Sequence, residues 1–144
     1  MILLIIVLEV LAILANLALP ISQDATLHAR ATAIARDMEM VRRVSIQARA
    51  GHDSWSPAPV PDAAPPEVTA ALPSGFAFEQ KDCRLVWEHW SVSDPASLGL
   101  RQSEIGGVTV VAADPRLAAL VAAEIPRGEI RFTNGNRTTL VVDP

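Results

Sequence analysis

Ile2-Leu3-Leu4-Ile5-Ile6-Val7-Leu8-Glu9-Val10-Leu11-Ala12-Ile13-Leu14-Ala15-Asn16-Leu17-Ala18-Leu19-Pro20 opens the chain, and its reading decides the fold. In the 18 residues from Ile2 to Leu19 only Glu9 and Asn16 are polar, and thirteen are Leu, Ile or Val. As a helix the run spans about 27 Å, just short of the roughly 30 Å hydrocarbon core of a bilayer. Each Leu, Ile or Val favours insertion by about 0.3–0.6 kcal/mol, against roughly 3 kcal/mol for a central carboxylate and less for Asn, so insertion wins. The run predicts a transmembrane helix. A cleaved secretory signal is the rival, weakened by the lack of a basic n-region and of an A-x-A site before Pro20. Glu9 has two readings: a functional group with an intersubunit partner, or an interfacial carboxylate that water solvates. The basic residues Arg30, Arg36, Arg42 and Arg43 all follow the run. By the positive-inside rule they would hold the body of the protein in the cytoplasm unless a basic leader precedes this sequence.

Beyond Pro20 the helical period continues. Leu27, Ala31, Ile34, Met38, Val41 and Ala48 recur every three or four residues, while Arg30, Arg36, Asp37, Arg43 and Arg49 occupy other faces. The pattern predicts one helix from about residue 2 to residue 50, kinked at Pro20 and stopped by Gly51. Its second half should bury Leu27, Ile34, Met38 and Val41 against the rest of the chain. Half of the 144 residues are hydrophobic, yet aromatics are 4% and Tyr is absent, so the apolar surplus belongs mainly to this helix. The lone Cys83 excludes an intramolecular disulfide framework and a cysteine-cluster metal site, and the net charge of −4 argues against nucleic-acid binding driven by bulk charge. Charge is unevenly spread, with +2 over residues 21–50 and −5 over residues 51–144. That bias would let the basic helix of one copy meet the acidic body of another, although a solvated face is its commoner meaning.

Six of the eleven prolines fall between Asp53 and Gly75, which excludes regular structure over most of that stretch. It should be an ordered surface loop pinned by Trp55, Val60, Val68 and Leu72, with a helical turn or two from Pro66 to Leu72. Leu85 to Val92 alternates like a strand, with Val86, Trp90 and Val92 on one face and Leu85 and Trp87 on the other. Gly107 to Ala112 predicts a second strand, and Asp114-Pro115 should cap a helix over Arg116–Ile125. Glu129 to Thr133 and Thr138 to Val142 flank Asn134-Gly135-Asn136 as a hairpin turned on Asn-Gly. The fold class is therefore α+β: a long N-terminal helix packed on a small, mostly antiparallel sheet. Residues 1–20 form its transmembrane half and 21–52 its amphipathic half, with a loop over 53–75 and a β-rich part over 76–144 completing one domain.

Catalytic signals are weak. His28, His52, His89 and Cys83 show neither His-x-x-x-His nor Cys-x-x-Cys spacing and lie on different predicted elements. A hydrolase or metal enzyme would need His52, His89 and Cys83 gathered in one concavity. Cys83 alone reads as a small buried side chain, and Ser74 and Ser103 lack the glycine context of a nucleophile elbow. Gly106-Gly107 precedes a strand instead of following one, so it is not a phosphate loop. Asp94, Asp114 and Asp143 each stand before Pro, which favours turns and caps over calcium binding. Asn136-Arg137-Thr138 matches a glycosylation acceptor, a pattern common by chance. No catalytic residue, metal or cofactor is expected.

The N-terminal run into Pro20, the stretch Gly51-His52-Asp53-Ser54-Trp55-Ser56-Pro57 with its glycine, tryptophan and proline, the continuation through Pro66-Glu67-Val68 and Leu72-Pro73-Ser74-Gly75-Phe76, and the order of helix before sheet together resemble the type IV pilin-like proteins, most of all the pseudopilins of type II secretion systems. The resemblance implies a structural subunit, single-pass in a bacterial inner membrane with its globular part in the periplasm, which polymerises through its apolar helix. Its partners would be other pilin-like subunits and membrane lipid, with no nucleic acid. In such a subunit Leu3, Glu9, Asn16 and Pro20 belong to the assembly helix, and Trp55 and Pro57 anchor the loop after it. The chain departs from the family where Leu3 occupies the place of the usual early glutamate and where no glycine precedes the run. If Pro20 is aligned with the family's proline, the prepilin peptidase cut falls just upstream of Met1, after a basic leader that would also keep the body out of the cytoplasm. Two alternatives stand beside it, the first of another class and the second a variant of the pilin reading. One is a membrane-tethered or secreted periplasmic binding module that does not polymerise. The other is a DNA-uptake pilin using Arg42, Arg43 and Arg49 as phosphate contacts.

Overall fold

The computed structural model describes residues 2–50, 54–58, 60–91, 93, 96 and 104–142, with the backbone alone at 2–3 and 17–21. Gly51, His52, Val92, Asp94 and Asp143 therefore lie outside the described residues, as do the side chains of Leu3 and Pro20. Helix α1 runs unbroken over Ile2–Arg49, 48 residues and about 72 Å at the usual rise per residue. Helix α2 (Pro66–Ala71) follows the proline-rich loop, then strands β1 (Cys83–Ser91) and β2 (Glu104–Ala112), helix α3 (Pro115–Glu124), and the hairpin β3 (Arg131–Asn134) and β4 (Arg137–Val141). The strands form one antiparallel sheet in the order β1-β2-β4-β3. A long helix on a small antiparallel sheet is thus what the chain forms, with β2 starting three residues earlier than its apolar pattern suggests.

One face of the sheet receives the helices. Ala31, Ile34, Met38 and Val41 of α1 are fully buried and join Val68, Leu85, Trp87, Val108, Val110, Leu140 and the α3 residues Leu117, Ala118 and Val121 in a single core. Leu27 packs partly buried at its edge. Thr138 also faces inward, where its hydroxyl donates to the Ala118 carbonyl at 2.8 Å and ties β4 to α3. Asp114 caps α3 by accepting the Arg116 N–H at 2.8 Å, and Pro115 fills the first helical position, where a missing N–H is harmless.

Three local expectations are corrected. The hairpin reverses on Gly135-Asn136, because Asn134 already pairs with Arg137; Gly135 takes φ 60° as the first central residue, and Asn136 is held by hydrogen bonds to Ala112. Val60 does not pin the proline-rich loop, since it stands exposed while Val68 is buried and Trp55 and Leu72 are partly so. Arg49, placed by periodicity on a solvent face, is only 5% exposed. Glu104 and Trp55 enclose it: its two terminal nitrogens donate to the Glu104 carbonyl at 3.2 Å, and its guanidinium lies 4.9 Å from the centre of the Trp55 ring.

Candidate functional site

The first candidate surface is the part of α1 that the domain does not cover. From Leu4 to Leu14, nine large apolar side chains stand 49% to 66% exposed, on every side of the helix. Covering the exposed half of such a side chain is worth about 1 kcal/mol, so the nine together favour burial by something on the order of 10 kcal/mol. Glu9 and Asn16 interrupt this surface, and Glu9 has no ion-pair or hydrogen-bond partner among the described residues. Among the described residues no helix is long and apolar enough to cross a membrane.

Lower down, α1 leaves a groove of about 720 Å³ beside the end of α3, lined by Arg36, Glu39, Met40, Arg43, Glu124 and Pro126 among others. Arg43 reaches solvent there, with its side chain 72% exposed, whereas Arg42 is drawn inward by Glu129 at 2.7 Å and Glu39 at 3.3 Å. Arg42, Arg43 and Arg49 therefore do not share a basic face, because one is ion-paired, one exposed and one buried. This removes the geometric basis of the phosphate-contact reading.

The second candidate is a cavity of about 460 Å³ at the far end of β1, between the strand and the proline-rich loop. Trp55 forms its base, edge-on to Trp87 with ring centres 5.1 Å apart. Pro57, expected to anchor the loop, lies exposed in the wall beside Val60 and Pro61. His89, Asp62 and Glu104 supply the polar side of the cavity. The arrangement depends on Gly106, since a Cβ there would come within 2.7 Å of the Trp87 ring and 3.3 Å of the Trp55 indole nitrogen. Its neighbour Gly107 performs the same service on the opposite face, where a Cβ would meet the Trp90 ring at 2.8 Å. The glycine pair is thus a clearance for two tryptophans that lean diagonally across from β1, one on each face of the sheet. A Trp-x-x-Trp strand paired with a Gly-Gly strand was the signal for it, legible only once the register is known.

Outside the cavity the polar groups serve the fold. On the open face of the sheet Thr109 donates to Glu88 at 2.9 Å and shares a 2.7 Å hydrogen bond with Thr139, while Arg137 pairs with Glu88. Cys83 is buried at the start of β1, and burial raises its thiol pKa above the ordinary value, with Arg30 pulling it back in part. Cys83 and His89 are six residues apart on one strand, about 20 Å, so they do not converge. Among the described residues no group of His, Cys, Asp or Glu is placed to hold a metal. Asp114, one of the acids considered for calcium, is used as the α3 cap. The chain matches no family model, no curated protein and no solved structure.

Proposed function

We propose that the chain is a structural subunit of a pilin-like assembly, a type IV pilus or a type II secretion pseudopilus, whose mechanism is polymerisation and not catalysis. One observation carries this reading: an all-round apolar half-helix, nine of whose large side chains are about half exposed, is continuous with the spine of a folded domain. Such a surface needs cover. Lipid supplies it for a newly inserted subunit, and the apolar helices of neighbouring subunits supply it in a filament.

The run from Ile2 to Leu19 would span about 27 Å, and the bilayer can thin by a few ångströms to meet it. In this reading the domain faces the periplasm from the inner membrane, and a prepilin peptidase is a partner if a leader precedes Met1. The groove beside Arg36, Met40 and Arg43 extends the same helix surface into the domain, where acidic neighbours could approach. Glu9 would sit within the helix bundle, paired with a polar group or amine from the next subunit.

Crosslinking of the full chain in native membranes tests the proposal. A ladder of products with itself or with other pilin-like proteins is expected, and Leu8→Glu should abolish it. A chain that stays in the membrane but never crosslinks would point to the tethered binding module. Release of the intact chain by alkaline carbonate would overturn both.

A further inference from the structure

β1 is an edge strand whose outer side changes character half way along. Leu85 donates its N–H to the Phe78 carbonyl at 2.7 Å and Trp87 donates to the Asp62 carbonyl at 3.0 Å, so the loop pairs with the first part of the strand. Asp62 reaches that position at φ 67°, a left-handed backbone that Asp adopts more readily than most residues. Among the described residues, pairing with the loop ends there. By strand alternation the backbone groups of His89 and Ser91 point the same way as those of Leu85 and Trp87. Both residues are exposed, and no described residue hydrogen-bonds those outward groups.

Beside this open edge lies the cavity of Trp55, Pro57, Val60 and Pro61. The Trp55 indole N–H is buried without an acceptor, as is the Nε of Arg49 stacked over its ring. The outward backbone groups of His89 and Ser91 call for the N–H and carbonyl groups of another extended segment. A free anion is a poor fit, because the carboxylates of Asp62 and Glu104 share the wall. Asp62 is held only loosely, by Arg84 at 3.9 Å, and Glu104 has no ion-pair partner among the described residues.

We propose that this edge and cavity bind an extended peptide segment bearing a lysine or arginine, which adds as a strand along His89–Ser91. Its backbone exchanges hydrogen bonds with the outward groups of His89. Of its side chains on the face that meets the cavity, two residues apart along the strand, an apolar one enters between Trp55 and the prolines and the cationic one faces Glu104 and Asp62. None of the apolar residues from Leu4 to Asn16 takes part, so the proposal stands apart from the membrane and assembly reading.

The test uses the full chain in micelles of an uncharged detergent, with two capped octapeptides, one placing Val and Lys in turn at every second position with Thr between them and one placing Val and Glu in the same way. The Val/Lys peptide should change the tryptophan fluorescence saturably and slow amide exchange at His89 and Ser91. His89→Pro, which removes an outward edge N–H that proline can replace, should weaken binding about tenfold. Glu104→Gln, which keeps the backbone carbonyl that holds Arg49, should weaken it several-fold, as should raising the salt from about 0.05 to 0.5 M. Equal binding of the Val/Glu peptide, absence of saturation, or exchange protection away from His89 and Ser91 would overturn the proposal. Retained amide protection at Val108 and Val110 in the variants would show that the sheet is intact, so that a loss of binding is not a loss of fold.

Discussion

At the residue scale, the side chains that matter most are small or hidden. Gly106 lies where any side chain would strike Trp87, and Trp87 is core. Gly106→Ala should therefore destabilise the domain by about 1–3 kcal/mol, measured by denaturant unfolding followed at the tryptophans, since the clash is with a ring packed on both sides. Cys83 illustrates burial acting on a titration. Desolvation raises its pKa above the ordinary thiol value. Alkylation of the folded chain at pH 8 should be slower than that of the urea-unfolded chain by on the order of tenfold or more, read by mass spectrometry. The linked stability has a definite sign. Below the unfolded thiol's pKa both states are protonated and the contribution is complete. As pH rises past that point the unfolded state releases its proton first, so stability falls until the folded thiol also ionises. Arg49 makes the opposite case, a permanent charge kept inside by a carbonyl and an aromatic ring, an interaction that linear periodicity has no means of showing.

At the scale of elements, each piece of secondary structure carries its own start or stop. The Asp114 side chain satisfies the Arg116 N–H and Pro115 presets the first turn, which lets a ten-residue helix form where propensity alone would be marginal. Asp114→Ala should cost about 1 kcal/mol, checked by the shift in urea midpoint at unchanged slope. The hairpin is set by Gly135 and its register is held by Thr133 with Thr138 at 3.1 Å and by the Asn136 amide on the Ala112 carbonyl. Among the described residues β1 is the element left incomplete, since the loop covers its edge only as far as Trp87. That incompleteness arises because a proline-rich loop cannot supply a continuous row of N–H groups.

At the scale of the whole molecule, one helix does two jobs: its second half is the core of a small domain and its first half projects uncovered. The crosslinking experiment belongs to this scale, because the proposal turns on what covers the side chains from Leu4 to Leu14 that the domain leaves exposed. The amino-acid sequence by itself determined the elements, since the apolar run, the three- to four-residue period from Leu27 to Val41, the strand alternation around Trp87, the Asp114-Pro115 cap and the glycine of the last hairpin are all local signals. It also marked the residues that the helix buries in the core, because a helix stripe has one face to offer. Tertiary structure alone decided the rest. Which strands pair, that Gly106 and Gly107 make room for two tryptophans, that Arg49 is enclosed, and that His89 and Ser91 are left open beside a cavity all depend on contacts between residues far apart in the chain. The physical reason is that local patterns record which face of an element is apolar, whereas the partner that covers a face, or fails to, is chosen by the packing of all the elements together.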